Sequence, residues 1–248
     1  MADPRITQLE TVSYSYEIKN LGTDYHGFNL VYEEGAVRQA GGTILIVHTD
    51  AGISGYCPNI GALDEAVLPR IWHFVKGKNV LEREFIYDEI KRAQRQSARI
   101  GVAAIDIALW DLAGRLFNQP IYRLLGGWKK SIPCYASTYH GDENGGLDCP
   151  EAYADFAVQC REMGYPAFKI HGWGNAPVQR EVRNVLAVRE AVGDYMDLML
   201  DPACELATFG DAVTVGRACD DARFYWYEDP FRDGGISQFA HRKLRQLI

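Results

Sequence analysis

The sequence has no apolar run approaching the roughly 18 residues that a membrane-spanning helix requires, so no membrane partner is expected. It begins MADPRITQLE, without the basic-then-apolar layout of a secretory leader, and the expected location is the cytoplasm. None of its six cysteines (Cys57, Cys134, Cys149, Cys160, Cys204, Cys219) stands in a C-x-x-C pair. That spacing argues against both a disulfide framework and a zinc knuckle, and predicts free, mostly buried thiols. There is no run of Lys or Arg, and the net charge is −7, so nucleic acid is a poor partner on electrostatic grounds. No G-x-G-x-x-G opens a helical segment, which weakens a dinucleotide-binding reading.

What remains is an ordinary globular composition, 47% hydrophobic and 24% charged over 248 residues, enough for one large domain or two smaller ones. Up to about residue 95, strand-like and helical stretches alternate in no fixed order, an α+β character. Gly41 to Thr49 reads as a strand, Asp50-Ala51-Gly52 as a turn opening a Gly-rich loop through Gly55, and Leu21 to Gly27 as a second polar loop. From Arg99 the spacing is helical, with Ile100, Ala104, Ile107 and Ala108 on one face and Val102, Ile105, Leu109 and Ala113 on another. Such a helix is apolar nearly all round and expected to be buried, ending at Asn118-Gln119-Pro120.

After Gly126-Gly127 the rhythm becomes regular. Strands are predicted at 132–137, 167–171, 197–201 and 224–228, each followed by a helix: 150–163, 177–192, 209–220 and 236–247. Four βα units in succession imply a parallel sheet, either open and doubly wound or closed as a barrel. The fold class expected is an α+β domain over 1–130, followed by α/β over 131–248. The second part is short for a whole (β/α)8 barrel, which takes roughly 200 residues or more, and matches about its first half. A truncated product, a cut boundary, or a chain completed by another copy would each account for this.

In a barrel, reactive groups project from the C-terminal strand ends. Those ends carry Ser137 to His140, then Lys169 and His171, then Asp201, then Glu228 and Asp229. Lys169 and His171 are two apart on a strand and share a face. Asp201 and Glu228 end successive strands, so their carboxylates can converge on a hard cation such as Mg²⁺. Each residue also has a plainer role open to it. Asp201-Pro202 fits a turn or cap, Glu228-Asp229 a solvated acidic cluster, Lys169 a snorkelling side chain and His171 a satisfied core histidine.

The stretch GVAAIDIALWDLAGR from Gly101 to Arg115, followed by Pro120-Ile121 and Leu124-Leu125-Gly126-Gly127, resembles the mandelate racemase/muconate lactonizing enzyme signature of the enolase superfamily. Gly101 stands where that pattern usually has Ala. The resemblance implies an α+β capping domain over a modified (β/α)8 barrel. It implies Mg²⁺-dependent abstraction of the proton α to a carboxylate, giving a metal-stabilised enediolate. By position it makes Asp201 and Glu228 the first two metal ligands. Lys169 matches the first Lys of the family's K-x-K motif, and His171 replaces the second, the usual base. Ala203 replaces the Asn often found two residues after the first ligand, and the remaining ligand and later-strand acid–base groups would lie past Ile248.

It further implies that the loops around Thr23 to His26 and Ala51 to Tyr56 choose the substrate. The polarity of Asp24, Tyr25, His26 and Tyr56 suits a hydroxylated acid. The expectation is dehydration of a sugar acid by a homo-oligomer. A racemase, epimerase or cycloisomerase of the same family, and a catalytically inactive fragment, are the alternatives. A doubly wound nucleotide binder is a further one.

Overall fold

Two separate clusters of buried apolar side chains organise the chain, one in the N-terminal part and one after residue 146. The structure is a computed structural model and describes residues 3–24, 27, 29–173, 176–232 and 237–248. Tyr25 and His26, two of the expected substrate contacts, lie outside the described residues. The chain divides into Met1–Glu17 with Gln39–Lys130, and Ile18–Arg38 with Ser131–Ile248.

Strands β1 (Ile6–Thr23), β2 (Leu30–Thr49) and β3 (Ser54–Ile60) form one sheet in that order, with β2 and β3 antiparallel; the first unit takes β1 up to Glu17, β2 from Gln39 and all of β3. The strand expected from Gly41 therefore starts eleven residues earlier, at Leu30. Its first half, LVYEEGAVRQA, is mostly exposed, so burial imposes no alternating apolar signal to read there. Gly55, expected in a loop, sits in β3 opposite Val47. A Cβ there would lie 2.0 Å from the Ala108 carbonyl oxygen and 2.6 Å from Leu112 Cβ. Glycine thus lets the strand press directly on a helix.

That helix is α3 (Val102–Phe117), preceded by α1 (Ala62–Val75) and α2 (Arg83–Ala93). Val102, Ile105, Ala108, Leu109 and Leu112 join Leu45, Val47, Ile71, Ile86 and Ile90 in the first core. Ile107 and Phe117 are about half exposed, so α3 has one buried stripe rather than the all-round burial expected. Gly101 occupies the N-cap at φ +81°, a left-handed conformation costly for Ala, and a Cβ would meet Ile71 and Val67. This explains why glycine stands in the signature's first position. Asn118 ends α3 at φ 48°, and Pro120 caps the short α4 (Ile121–Leu124).

In the second unit, β4 (Ala136–Ser137), β5 (Ala167–His171), β6 (Asp197–Asp201) and β7 (Trp226–Tyr227) pair in parallel in sequence order. Each is followed by a helix: α5 (Pro150–Glu162), α6 (Val178–Val192), α7 (Phe209–Asp221) and α8 (Gln238–Leu244). Four βα units are present, as the sequence predicts, although β4 and β7 are shorter than expected. Alternation along the strands sorts the side chains. Phe168, Ile170, Leu198 and Leu200 enter the core with Tyr153, Val185, Val188 and Val215. Lys169, paired with Met199, and His171, paired with Asp201, take the opposite face. All six cysteines are free; Cys57, Cys160 and Cys219 are buried, whereas Cys134 is exposed. Among the described residues no helix is long and apolar enough to cross a membrane.

Candidate active site

Period-2 alternation places Lys169 on the sheet face away from the helices, with its residue 7% exposed. A lone ammonium there would lose its hydration without return. It is instead held between two carboxylates, Nζ donating to Asp201 Oδ2 at 3.0 Å and to Glu228 Oε1 at 3.0 Å. Its charge also lies 5.8 Å from the centre of the Tyr135 ring. Burial alone would lower its pKa, but the hydrogen bonds to Asp201 and Glu228 outweigh it and raise the value above normal.

Asp201 is the hub. Oδ2 also takes a 2.6 Å contact from His171 Nε2, and Oδ1 accepts the Ala203 backbone N–H at 2.8 Å. Burial would raise its pKa, yet the bonds from His171 and Lys169 hold it well below the usual carboxylate range. His171 Nδ1 lies 3.0 Å from the Thr138 carbonyl oxygen. Both ring nitrogens thus contact oxygen atoms, which fixes the orientation of the ring. Thr138 Oγ1 accepts the His171 N–H at 2.9 Å, and the Tyr153 hydroxyl donates to the His171 carbonyl at 2.7 Å, fixing the strand end. Backbone strain gathers in the same place. Ala203, Cys204 and Asp229 all have positive φ, and Cys204 N–H donates to the Asp229 carbonyl at 2.7 Å.

The structure therefore brings together Lys169, His171, Asp201 and Glu228. Two carboxylates already converge on one cation, the Lys169 ammonium, and that donor set of hard oxygens fits Mg²⁺. Asp24 lies in the same unit beside His140 and Glu205, with one ligand-capable atom of each within 4.8 Å of the others. Tyr56 belongs to the first unit. There its ring lies 4.6 Å from the Arg115 guanidinium, and its N–H donates to Asp111 Oδ2.

Glu181 and Glu205 escape sequence reading, whereas Thr138 falls within the first strand end read as reactive. Glu181 is buried in α6, accepts the Trp173 N–H at 2.6 Å, and has its pKa pushed up to about 7 by burial. A helical Glu with apolar neighbours leaves no mark in the sequence, and only the spacing of Glu205 four residues after Asp201 hints at its place. His140 falls within the first strand end read as reactive. It is 3% exposed, and its pKa is lowered by burial and by the neighbouring His171.

Two family models match the chain: "Mandelate racemase / muconate lactonizing enzyme, N-terminal domain" over residues 30–126, and "Enolase C-terminal domain-like" over 152–247. D-xylonate dehydratase of Haloferax volcanii is 30% identical over 208 residues, covering 74% of this chain and 49% of its own length. D-galactarolactone cycloisomerase of Agrobacterium fabrum is 28% identical, covering 90% and 60% respectively. The crystal structure of D-glucarate dehydratase from Agrobacterium tumefaciens complexed with magnesium superposes with a TM-score of 0.85 at 29% identity, covering 100% of this chain and 66% of that one. The chain thus spans 49% to 66% of the length of these relatives. With both family models matched, the signature helix in place and four βα units in parallel order, this chain belongs to the mandelate racemase/muconate lactonizing enzyme family of the enolase superfamily.

Proposed function

We propose that the protein removes the proton α to a carboxylate in a hydroxylated acid and dehydrates it, with Asp201 and Glu228 holding Mg²⁺. The observation that carries this reading is the Lys169 ammonium, buried and 3.0 Å from both carboxylates at successive strand ends. Bound there, Mg²⁺ would neutralise negative charge developing on the substrate carboxylate as the α-proton leaves.

Lys169 supplies a second, fixed positive charge on the same face, preorganised by its two ion pairs. His171 is the acid–base group. Its Nδ1 is tied to the Thr138 carbonyl, leaving Nε2 as the atom that exchanges a proton. Nε2 is engaged with Asp201, so His171 takes a proton only after that contact loosens. Dehydration breaks the α C–H bond and then the β C–O bond, releasing water and leaving a 2-keto acid after tautomerisation. The substrate class rests on the relatives that dehydrate xylonate and glucarate.

Incubating the protein with a panel of sugar acids and Mg²⁺ tests the reading. Keto acid is the expected product. Isomer or lactone formation without keto acid would replace the lyase by a racemase or cycloisomerase, the activity that the galactarolactone relative favours. Lys169→Met and His171→Gln are each expected to lower turnover by about 10²-fold or more. Full turnover in either variant would remove that residue from the chemistry.

A further inference from the structure

His140 is not used in the chemistry above, and its surroundings are unusual. It is 3% exposed, and neither ring nitrogen has a hydrogen-bond partner among the described residues. A buried imidazole normally satisfies at least one nitrogen. Two carboxylates lie close to it. One atom each of Asp24, His140 and Glu205 lies within 4.8 Å of the others, and all three residues belong to the second unit.

Their supports are separate elements. Asp24 lies between β1 and β2, where Oδ2 accepts from Asn29 Nδ2 at 2.7 Å. Glu205 is 8% exposed in the loop after β6, with Oε2 3.9 Å from Arg232 Nη2. Beside His140 and Glu205 lies a cavity of about 150 Å³, also lined by Trp173, Glu181, Asp211 and Arg232. That volume admits several waters.

We propose that Asp24, His140 and Glu205 form a second metal site, which takes a first-row divalent ion of the Zn²⁺ class. One imidazole nitrogen and two carboxylate oxygens make a borderline donor set, softer than the all-oxygen pair Asp201 and Glu228, and so select a different ion. An ion there gives the His140 lone pair its missing partner. The adjoining cavity supplies water for the remaining coordination positions. The Asn29 amide holds the Asp24 carboxylate as outer-shell groups hold metal ligands elsewhere. The His140 ring centre is 6.2 Å from that of His171, so the site borders the Lys169 network without sharing a ligand with it.

Co²⁺ titrated into chelator-stripped protein, in excess Mg²⁺, tests this through its visible spectrum. Expected is saturable binding with a nitrogen–oxygen ligand-field spectrum. Affinity should fall about tenfold or more in His140→Gln and in Asp24→Asn, the latter a change outside the core that guards against misfolding, and should persist in Glu228→Gln. Zn²⁺ added to the unmutated protein should raise Tm in the same buffer. The site is overturned if Co²⁺ does not bind or if its bands are those of thiolate ligation. It is equally overturned if binding survives His140→Gln and Asp24→Asn, or disappears only in Glu228→Gln. Loss of sugar-acid turnover with Mg²⁺ alone would count against the proposed dehydratase and leave these readouts unchanged.

Discussion

Glu181 is a buried carboxyl group that accepts one backbone N–H. Burial pushes its pKa from 4.5 up to about 7. The unfolded chain then releases its proton at lower pH than the folded one, so this group's contribution to stability falls as pH rises from about 4.5 to about 7, and stays low above. The loss is on the order of 3 kcal/mol. Glu181→Gln keeps an oxygen for the Trp173 N–H and is expected to flatten that slope and to be more stable than the parent at pH 8. Urea melts at pH 5 and pH 8 check it; an unchanged slope would mean the carboxyl is solvated.

Ala203 is the other informative single residue. It stands at φ 50°, and its N–H donates to Asp201 Oδ1. A left-handed Ala costs about 1 kcal/mol that Asn largely avoids. Ala203→Asn is therefore expected to raise Tm by about 2–4 °C. Lys169, His171, Asp201 and Glu228 were legible because strand periodicity puts them on one face and one rim. His140, Glu181 and Glu205 gain their character from burial by distant segments, which no local pattern encodes.

At the scale of elements, strands and helices after residue 130 were readable because each βα unit carries its own apolar run and its own break. Of the long ribbon of β1 and β2, only Gly41 to Thr49 was. Much of the ribbon is exposed, so hydrogen bonding between strands rather than an apolar face defines it. Burial also corrects α3: Ile107 is apolar yet faces outward. Two substitutions probe the packing that does exist. Gly55→Ala forces a methyl into the Ala108 carbonyl and is expected to cost about 1–3 kcal/mol. Phe168→Ala empties a fully buried position beside Phe156 and should cost about 3–5 kcal/mol. Guanidinium unfolding measures both, and a loss under 0.5 kcal/mol, roughly a neutral surface change, would contradict the packing in either case.

For the whole molecule, the parallel sheet has outer strands of two residues each, β4 and β7, which pair on one side only among the described residues. Tyr135 next to β4 and Tyr225 next to β7 are exposed, as is Ile132. Open strand edges flanked by apolar groups favour association. The 248-residue chain is expected to self-associate with rising concentration in sedimentation velocity; a monomer at all concentrations would show the edges to be protected.

The most direct test of the central claim is a calorimetric titration of Mg²⁺ into metal-free protein, run beside Asp201→Asn and Glu228→Gln with their folding verified by thermal melts. The expected result is saturable binding that weakens by about tenfold or more in each folded variant. Equal Mg²⁺ affinity in all three proteins would contradict it.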